Sequence, residues 1–191
     1  MKIHQTRVDM INDIIIENSI CAELGVLLGE FSSEFLKCSP RKLFLVDIWP
    51  EDKIISGDQN GNNLKEYISG IQLYDYVRSK FMVNPNVEIV KSNSQEFLLK
   101  SPNNYFDFVY IDTSHNFDDS LNELEISLQK TKKGGFICGH DYAVNAAKCK
   151  NIELCNSFGV REAVNLFCSK YNLKITHLAL DGCISFGILN E

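Results

Sequence analysis

Ile20-Cys21-Ala22-Glu23-Leu24-Gly25-Val26-Leu27-Leu28-Gly29 is the stretch from which the rest of this chain is read. A short apolar run stops at one glycine, and a second glycine follows four residues later. A run of that length bounded by turn signals fits a buried parallel strand. The glycines allow a tight turn and a close approach to the backbone. Residues 31–37 then read as a helix. The same unit recurs along the chain. Residues 43–46 end at Asp47, 87–90 end near Asn93, 108–111 end at Asp112, and 135–138 end at His140-Asp141.

Helical spacing fills the gaps. Residues 4–17 form one pattern. Residues 64–82 place Tyr67, Ile68, Ile71, Tyr74 and Val77 on one face. Leu121, Leu124 and Leu128 follow Asp118 and Asp119, whose charges suit a helix N-terminus. Val160, Ala163, Val164 and Phe167 mark the last helix. Strands alternating with helices imply an α/β fold, a doubly wound and mostly parallel sheet with helices on both faces. Residues 175–180 and 184–189 flank Asp181-Gly182, a tight-turn signal. The sheet is therefore expected to close in an antiparallel hairpin, with seven strands in all. Sheets of this kind bind ligands at the carboxyl ends of their strands.

The 191 residues suit a single domain spanning 1–191. The chain is 45% hydrophobic and 23% charged, an ordinary globular balance. Its net charge of −6 argues against a broad basic surface, so no nucleic-acid partner is expected. No apolar run is long enough to span a membrane, and residues 1–13 are too charged for a signal peptide. No membrane partner is expected, and a cytoplasmic location follows. Seven cysteines, with no Cys-x-x-Cys spacing, read as reduced thiols. Cys149 and Cys155, in a polar loop, are the one pair worth checking.

The strand ends carry the chemistry. Glu23 brings a carboxylate to the first turn, which suits a cationic ligand better than a pyrophosphate; the G-x-G-x-x-G pattern is absent. Asp47 ends the second strand, where an acid can accept hydrogen bonds from both hydroxyls of a ribose.

At these residues the chain resembles the class I S-adenosylmethionine-dependent methyltransferases, Rossmann-like in fold. Within them it resembles the small-molecule O-methyltransferases that act on catechols and macrolide sugars. Glu23-x-Gly25-x-x-x-Gly29 resembles the methionine-binding first motif and Asp47 the ribose acid. Asn93-Ser94-Gln95 is similar to the stretch bordering the adenine, and Tyr110 to His115 to an I-D-G-S-H motif. Lys133-Gly134-Gly135 and Gly139-His140-Asp141-Tyr142 are similar to the turn before the fifth parallel strand and the segment after it. The resemblance implies that S-adenosylmethionine is held by Glu23, Gly25, Gly29, Asp47, Asn93, Ser94 and Asp112. Leu27 departs from it, standing where many members carry a glycine.

Methyl transfer from a sulfonium needs alignment, and a hydroxyl nucleophile also needs its proton removed. His115, in the loop after Asp112, is the candidate base, and Asp112 shares the catalytic site. Asp112 and Asp141, with His140, could hold Mg²⁺ or Mn²⁺, which would lower the hydroxyl's pKa. The alternative is that Asp112 binds only cofactor and Asp141 only caps a segment. The polar loops 49–63 and 142–158 suit a small hydroxylated or sugar-like acceptor. The oligomeric state stays open, a homo-oligomer included. Two rival readings of the sequence are a nicotinamide-dependent oxidoreductase and a non-catalytic adenosine-binding domain.

Overall fold

A computed structural model describes residues 1–49, 73–144 and 158–191. Its eight described strands are β1 (Lys2–His4), β2 (Ile20–Leu24), β3 (Lys42–Asp47), β4 (Val87–Lys91), β5 (Phe106–Ile111), β6 (Thr131–Val144), β7 (Ile175–Ala179) and β8 (Cys183–Leu189). They form one sheet in the order β1-β7-β8-β6-β5-β2-β3-β4. Only β8 runs antiparallel, to both β6 and β7. The expected α/β architecture and closing hairpin are present.

The count of seven strands is corrected to eight. The additional strand, β1, lies at the sheet edge and pairs parallel with β7 through Lys2↔His177, Ile3↔Leu178 and His4↔Ala179. Three residues carry too little alternation to announce a strand; the pairing with β7 makes it one. The helix expected over 4–17 accordingly shrinks to α1 (Arg7–Ile14). Thr6 caps it, accepting from the Asp9 N–H at 3.1 Å, while Asp9 accepts from the Thr6 N–H at 3.0 Å. That reciprocal box satisfies two otherwise orphaned donors.

The other described helices are α2 (Glu30–Lys37), α3 (Leu73–Phe81), α4 (Ser94–Lys100), α5 (Phe117–Lys130) and α6 (Val160–Tyr171). α4 is not expected from the sequence: at seven residues it is too short for a periodic signal, and Asn93, expected at the cofactor, is its cap. Residues 64–72 of the long helical pattern, the loop 50–63, Cys149 and Cys155 lie outside the described residues.

Two apolar layers clamp the sheet. Cys21, Leu43, Leu45, Phe108 and Tyr110 face α1, α2 and α3, meeting Met10, Phe35 and Val77. Ala22, Leu24, Phe44, Val46, Val109 and Ile111 face α4, α5 and α6, meeting Leu98, Leu124 and Val164. The period-two alternation within β2, β3 and β5 is what a strand buried on both faces requires. Among the described residues no helix is long and apolar enough to cross a membrane.

Candidate active site

The carboxyl ends of β2, β3, β5 and β6 meet at one edge of the sheet. The turn after β2 is left-handed at Gly25 (φ 87°), Leu27 (φ 53°) and Gly29 (φ 66°). A Cβ added to Gly25 would stand 1.8 Å from the Asp112 carbonyl oxygen, so only glycine lets the turn pass beneath the β5 loop. Leu27 takes the left-handed backbone that glycine adopts most readily and leaves its side chain half exposed.

Asp47 ties this turn to β3. Its Oδ2 accepts from the N–H groups of Val26 (2.8 Å) and Leu27 (2.9 Å), and its Oδ1 accepts from Trp49 N–H at 3.0 Å. Trp49 is itself buried and donates its indole N–H to the Leu27 carbonyl at 3.0 Å. The acid expected on a ribose is thus also the organiser of the turn. A carboxylate has about four acceptor sites, which leaves room on Oδ1 for a hydroxyl.

Glu23 lies under the turn rather than projecting into it. It is 2% exposed, accepts from the Ser32 hydroxyl of α2, and burial pushes its pKa up to about 8, with Asp112 adding to the rise. A nearby cation would favour its ionised form.

Asn93 and Ser94 are both used by the protein. Asn93 caps α4, accepting from Gln95 N–H (2.9 Å) and Glu96 N–H (3.3 Å). The Ser94 hydroxyl donates to Glu123 of α5. Glu123 also accepts from Thr113 Oγ1 at 2.7 Å. This buried carboxyl, raised in pKa by burial against the pull of Ser94 and Thr113, joins the loops after β4 and β5. Sequence reading missed it; the signal was a charged residue beside Leu124 on the buried face of a helix.

The imidazole of His115 is the centre of the site. Its Nε2 lies 3.1 Å from Asp112 Oδ1 and 3.1 Å from Asp141 Oδ2. His115 and Asp141 both adopt left-handed backbone, at φ 60° and 59°. Burial works to lower the His115 pKa, but Asp112 and Asp141 outweigh it and the net shift is upward. Burial likewise opposes ionisation of Asp141, yet His140 and His115 bring its pKa below the ordinary value. Phe158 tilts against the His115 ring at 4.6 Å between centroids.

Asp112 and Asp141, expected together with His140, are approached by two imidazoles, His115 and His140. The ligand atoms that lie within 4.8 Å of one another belong to Asp112, His115 and Asp141. His140 Nδ1 contacts Asp141 Oδ2 at 3.0 Å but stays 3.9 Å from Asp112 Oδ1. His115 reaches between the carboxylates because its left-handed backbone folds the β5 loop back toward β6. Both imidazoles line a small cleft with Ile111, Thr113, Val160 and Phe186.

Arg7 completes the site and was also missed, since nothing local in α1 announces it. Its guanidinium lies 3.4 Å from Asp112 Oδ2 and 4.3 Å over the Phe31 ring. Burial disfavours its charge; Tyr110, Asp112 and Asp181 more than restore it.

A family profile described as a methyltransferase domain matches residues 22–142, from β2 through the end of the site. The chain belongs to the methyltransferase domain family. This methyltransferase uses S-adenosylmethionine. Solved structures share its fold at low identity. One, assigned as an rRNA methylase from Clostridium thermocellum, has 14% identity and a TM-score of 0.63, over 96% of this chain and 92% of that one. Another, assigned as a caffeoyl-CoA O-methyltransferase from Staphylococcus aureus, has 14% identity and a TM-score of 0.63, over 96% and 82%. Fibrillarin from Aeropyrum pernix, with natively bound S-adenosylmethionine, has 10% identity and a TM-score of 0.62, over 96% and 73%. No curated protein sequence matches the methyltransferase at a significant level.

Proposed function

We propose that this methyltransferase, a single domain over 1–191, methylates a hydroxyl on a small, hydroxylated or sugar-like acceptor, with His115 as the base. The observation that carries this reading is the position of His115 Nε2, 3.1 Å from carboxylates on both sides. With Nε2–H donating to Asp112 and Asp141, the neutral ring presents Nδ1 as its basic nitrogen. The two carboxylates then orient the ring and stabilise the imidazolium formed when it takes the acceptor's proton.

S-adenosylmethionine supplies an electrophilic methyl on sulfonium, transferred by in-line displacement. The residues at the sheet edge fit this donor. The Gly25–Gly29 turn offers backbone at close range, Asp47 Oδ1 can accept from a ribose hydroxyl, and Asn93 and Ser94 border the adjoining surface. Glu23, protonated near neutral pH by its burial, would ionise beside the ammonium of the methionine end. Asp112, which touches both Arg7 and His115, links the donor side of the edge to the acceptor side.

The net charge of −6 supports a small acceptor over a polyanionic one such as RNA. A second reading places Mg²⁺ or Mn²⁺ on Asp112, Asp141 and His115, favoured by the mutual proximity of their ligand atoms. A mixed oxygen and nitrogen set suits Mn²⁺ better than Mg²⁺. His140 would then be the remaining base.

Release of S-adenosylhomocysteine from a panel of catechols, sugars, amines and RNA tests the proposal. Turnover confined to hydroxylated small molecules and retained in chelator supports the His115 reading. Activity that dies in chelator and returns with Mn²⁺ supports the metal reading. Turnover on RNA or amines alone would refute the acceptor class.

A further inference from the structure

We propose that His4, Asp13 and His177 form a second site, a binding site for a divalent d-block ion such as Zn²⁺ that clamps β1 and α1 to β7. His4 comes from β1, Asp13 from α1 and His177 from β7. Parallel pairing of β1 with β7 sets Lys2 opposite His177 and His4 opposite Ala179, so both imidazoles lie on the face covered by α1. Their rings stack with centroids 5.5 Å apart.

Asp13 Oδ2 lies 3.8 Å from His4 Nε2 and 3.7 Å from His177 Nε2, and all three ligand atoms fall within 4.8 Å of one another. Around a tetrahedral ion with ligands near 2.0–2.1 Å, neighbouring donors stand about 3.3 Å apart. A contraction of about half an ångström would bring each imidazole to that spacing from Asp13.

The donors are prepared for a metal. His4 is 93% buried by its 7% exposure, yet its Nε2 has no hydrogen-bond partner. A buried nitrogen in that state loses its water without compensation. His177 Nδ1 pairs with Thr176 Oγ1 at 2.9 Å, which orients the ring and aims Nε2 at Asp13. A hydrogen-bonded distal nitrogen is the usual support of a ligating histidine. Lys2 Nζ bonds Asp13 Oδ1 at 2.5 Å and leaves Oδ2 facing the two imidazoles. Asp13 is partly exposed, which gives an ion its entry and a solvent ligand. Two imidazoles with one carboxylate suit Zn²⁺ rather than Mg²⁺ or Ca²⁺.

The consequence is mechanical. α1 carries Asp13 in its last turn and Arg7 at its first residue, and Arg7 reaches Asp112. An ion on Asp13 would fix the helix that delivers Arg7.

The test is a titration of metal-free protein with Zn²⁺ and Co²⁺, made in an Asp112→Asn/Asp141→Asn background that takes both carboxylates from the other His/Asp cluster. One equivalent of Zn²⁺ is expected, with a raised thermal midpoint and visible Co²⁺ bands. Asp13→Asn and His177→Gln should abolish binding. Thr176→Val, which removes the supporting bond together with the Thr176 hydroxyl's bond to the Gly187 carbonyl, should weaken it about 10–100-fold. Circular dichroism checks folding, and the partly exposed Asp13 keeps the test alive if His4 variants do not fold. Absence of binding in the background variant would overturn the proposal. So would one equivalent retained in both folded Asp13→Asn and His177→Gln.

Discussion

The two His/Asp clusters at either end of α1 use the same residue types to opposite ends. At the carboxyl edge, one imidazole sits between two carboxylates and its pKa is raised. Beside β1, two imidazoles share one carboxylate that Lys2 already engages; the His177 pKa is lowered and His4 Nε2 is unpaired. Two carboxylates outweigh burial at His115, whereas burial and the neighbouring His4 outweigh the single carboxylate at His177. The backbones differ as well. His115 and Asp141 stand in left-handed conformations, whereas His4 and His177 lie within strands and outside the left-handed region. Strain held by surrounding structure is a common feature of reactive sites.

The largest expected effect falls on His115. His115→Gln should cut turnover by about 10²–10⁴ and leave cofactor affinity nearly intact. Calorimetry with S-adenosylhomocysteine beside an assay of product release separates the two. Full activity in the variant would break the contrast by stripping His115 of its role.

Next comes the loop on which this cluster hangs. Gly25→Ala must move the Asp112 carbonyl, whereas Gly134→Ala, at φ 81°, meets nothing within 4 Å. Gly134→Ala should lower stability by about 1–3 kcal/mol from backbone strain alone, and Gly25→Ala by clearly more, with loss of cofactor binding. Equal denaturation midpoints for the two variants would show that the turn is not wedged under the β5 loop.

A smaller effect concerns Glu23, whose pKa is raised by burial from 4.5 to about 8. An acid with a raised folded pKa stabilises fully below its unfolded pKa. That contribution fades as pH rises from about 4.5 to about 8, by at most about 1.4 kcal/mol per pH unit. Glu23→Gln should flatten this part of the stability curve. Proton release on S-adenosylmethionine binding near pH 7, lost in the variant, would sharpen the assignment of Glu23 to a cation.

Much of this was legible in the sequence because the signals are local. The runs ending at Gly25, Asp47, Asp112 and Asp141 locate the carboxyl edge of the sheet, and Asp181-Gly182 locates the hairpin. The illegible parts depend on contacts distant in sequence. β1 exists because β7 is beside it. Arg7 matters because α1 docks with its first turn against Asp112, a separation of 105 residues. His115 comes between the two carboxylates on a left-handed backbone that no residue pattern announces. Glu123 carries only a weak signal, a charge on a buried helical face, which the Leu121, Leu124 and Leu128 periodicity of α5 masks.

The contrast between the clusters is tested most directly by the pH titration of the histidine ring protons by NMR, in chelator and without ligands. His115 should titrate above the ordinary 6.5 and His177 below it. Asp141→Asn should draw His115 downward and leave His177 unmoved. A His115 titrating at or below 6.5, or one indifferent to Asp141→Asn, would contradict the account of His115 as a base held between two carboxylates.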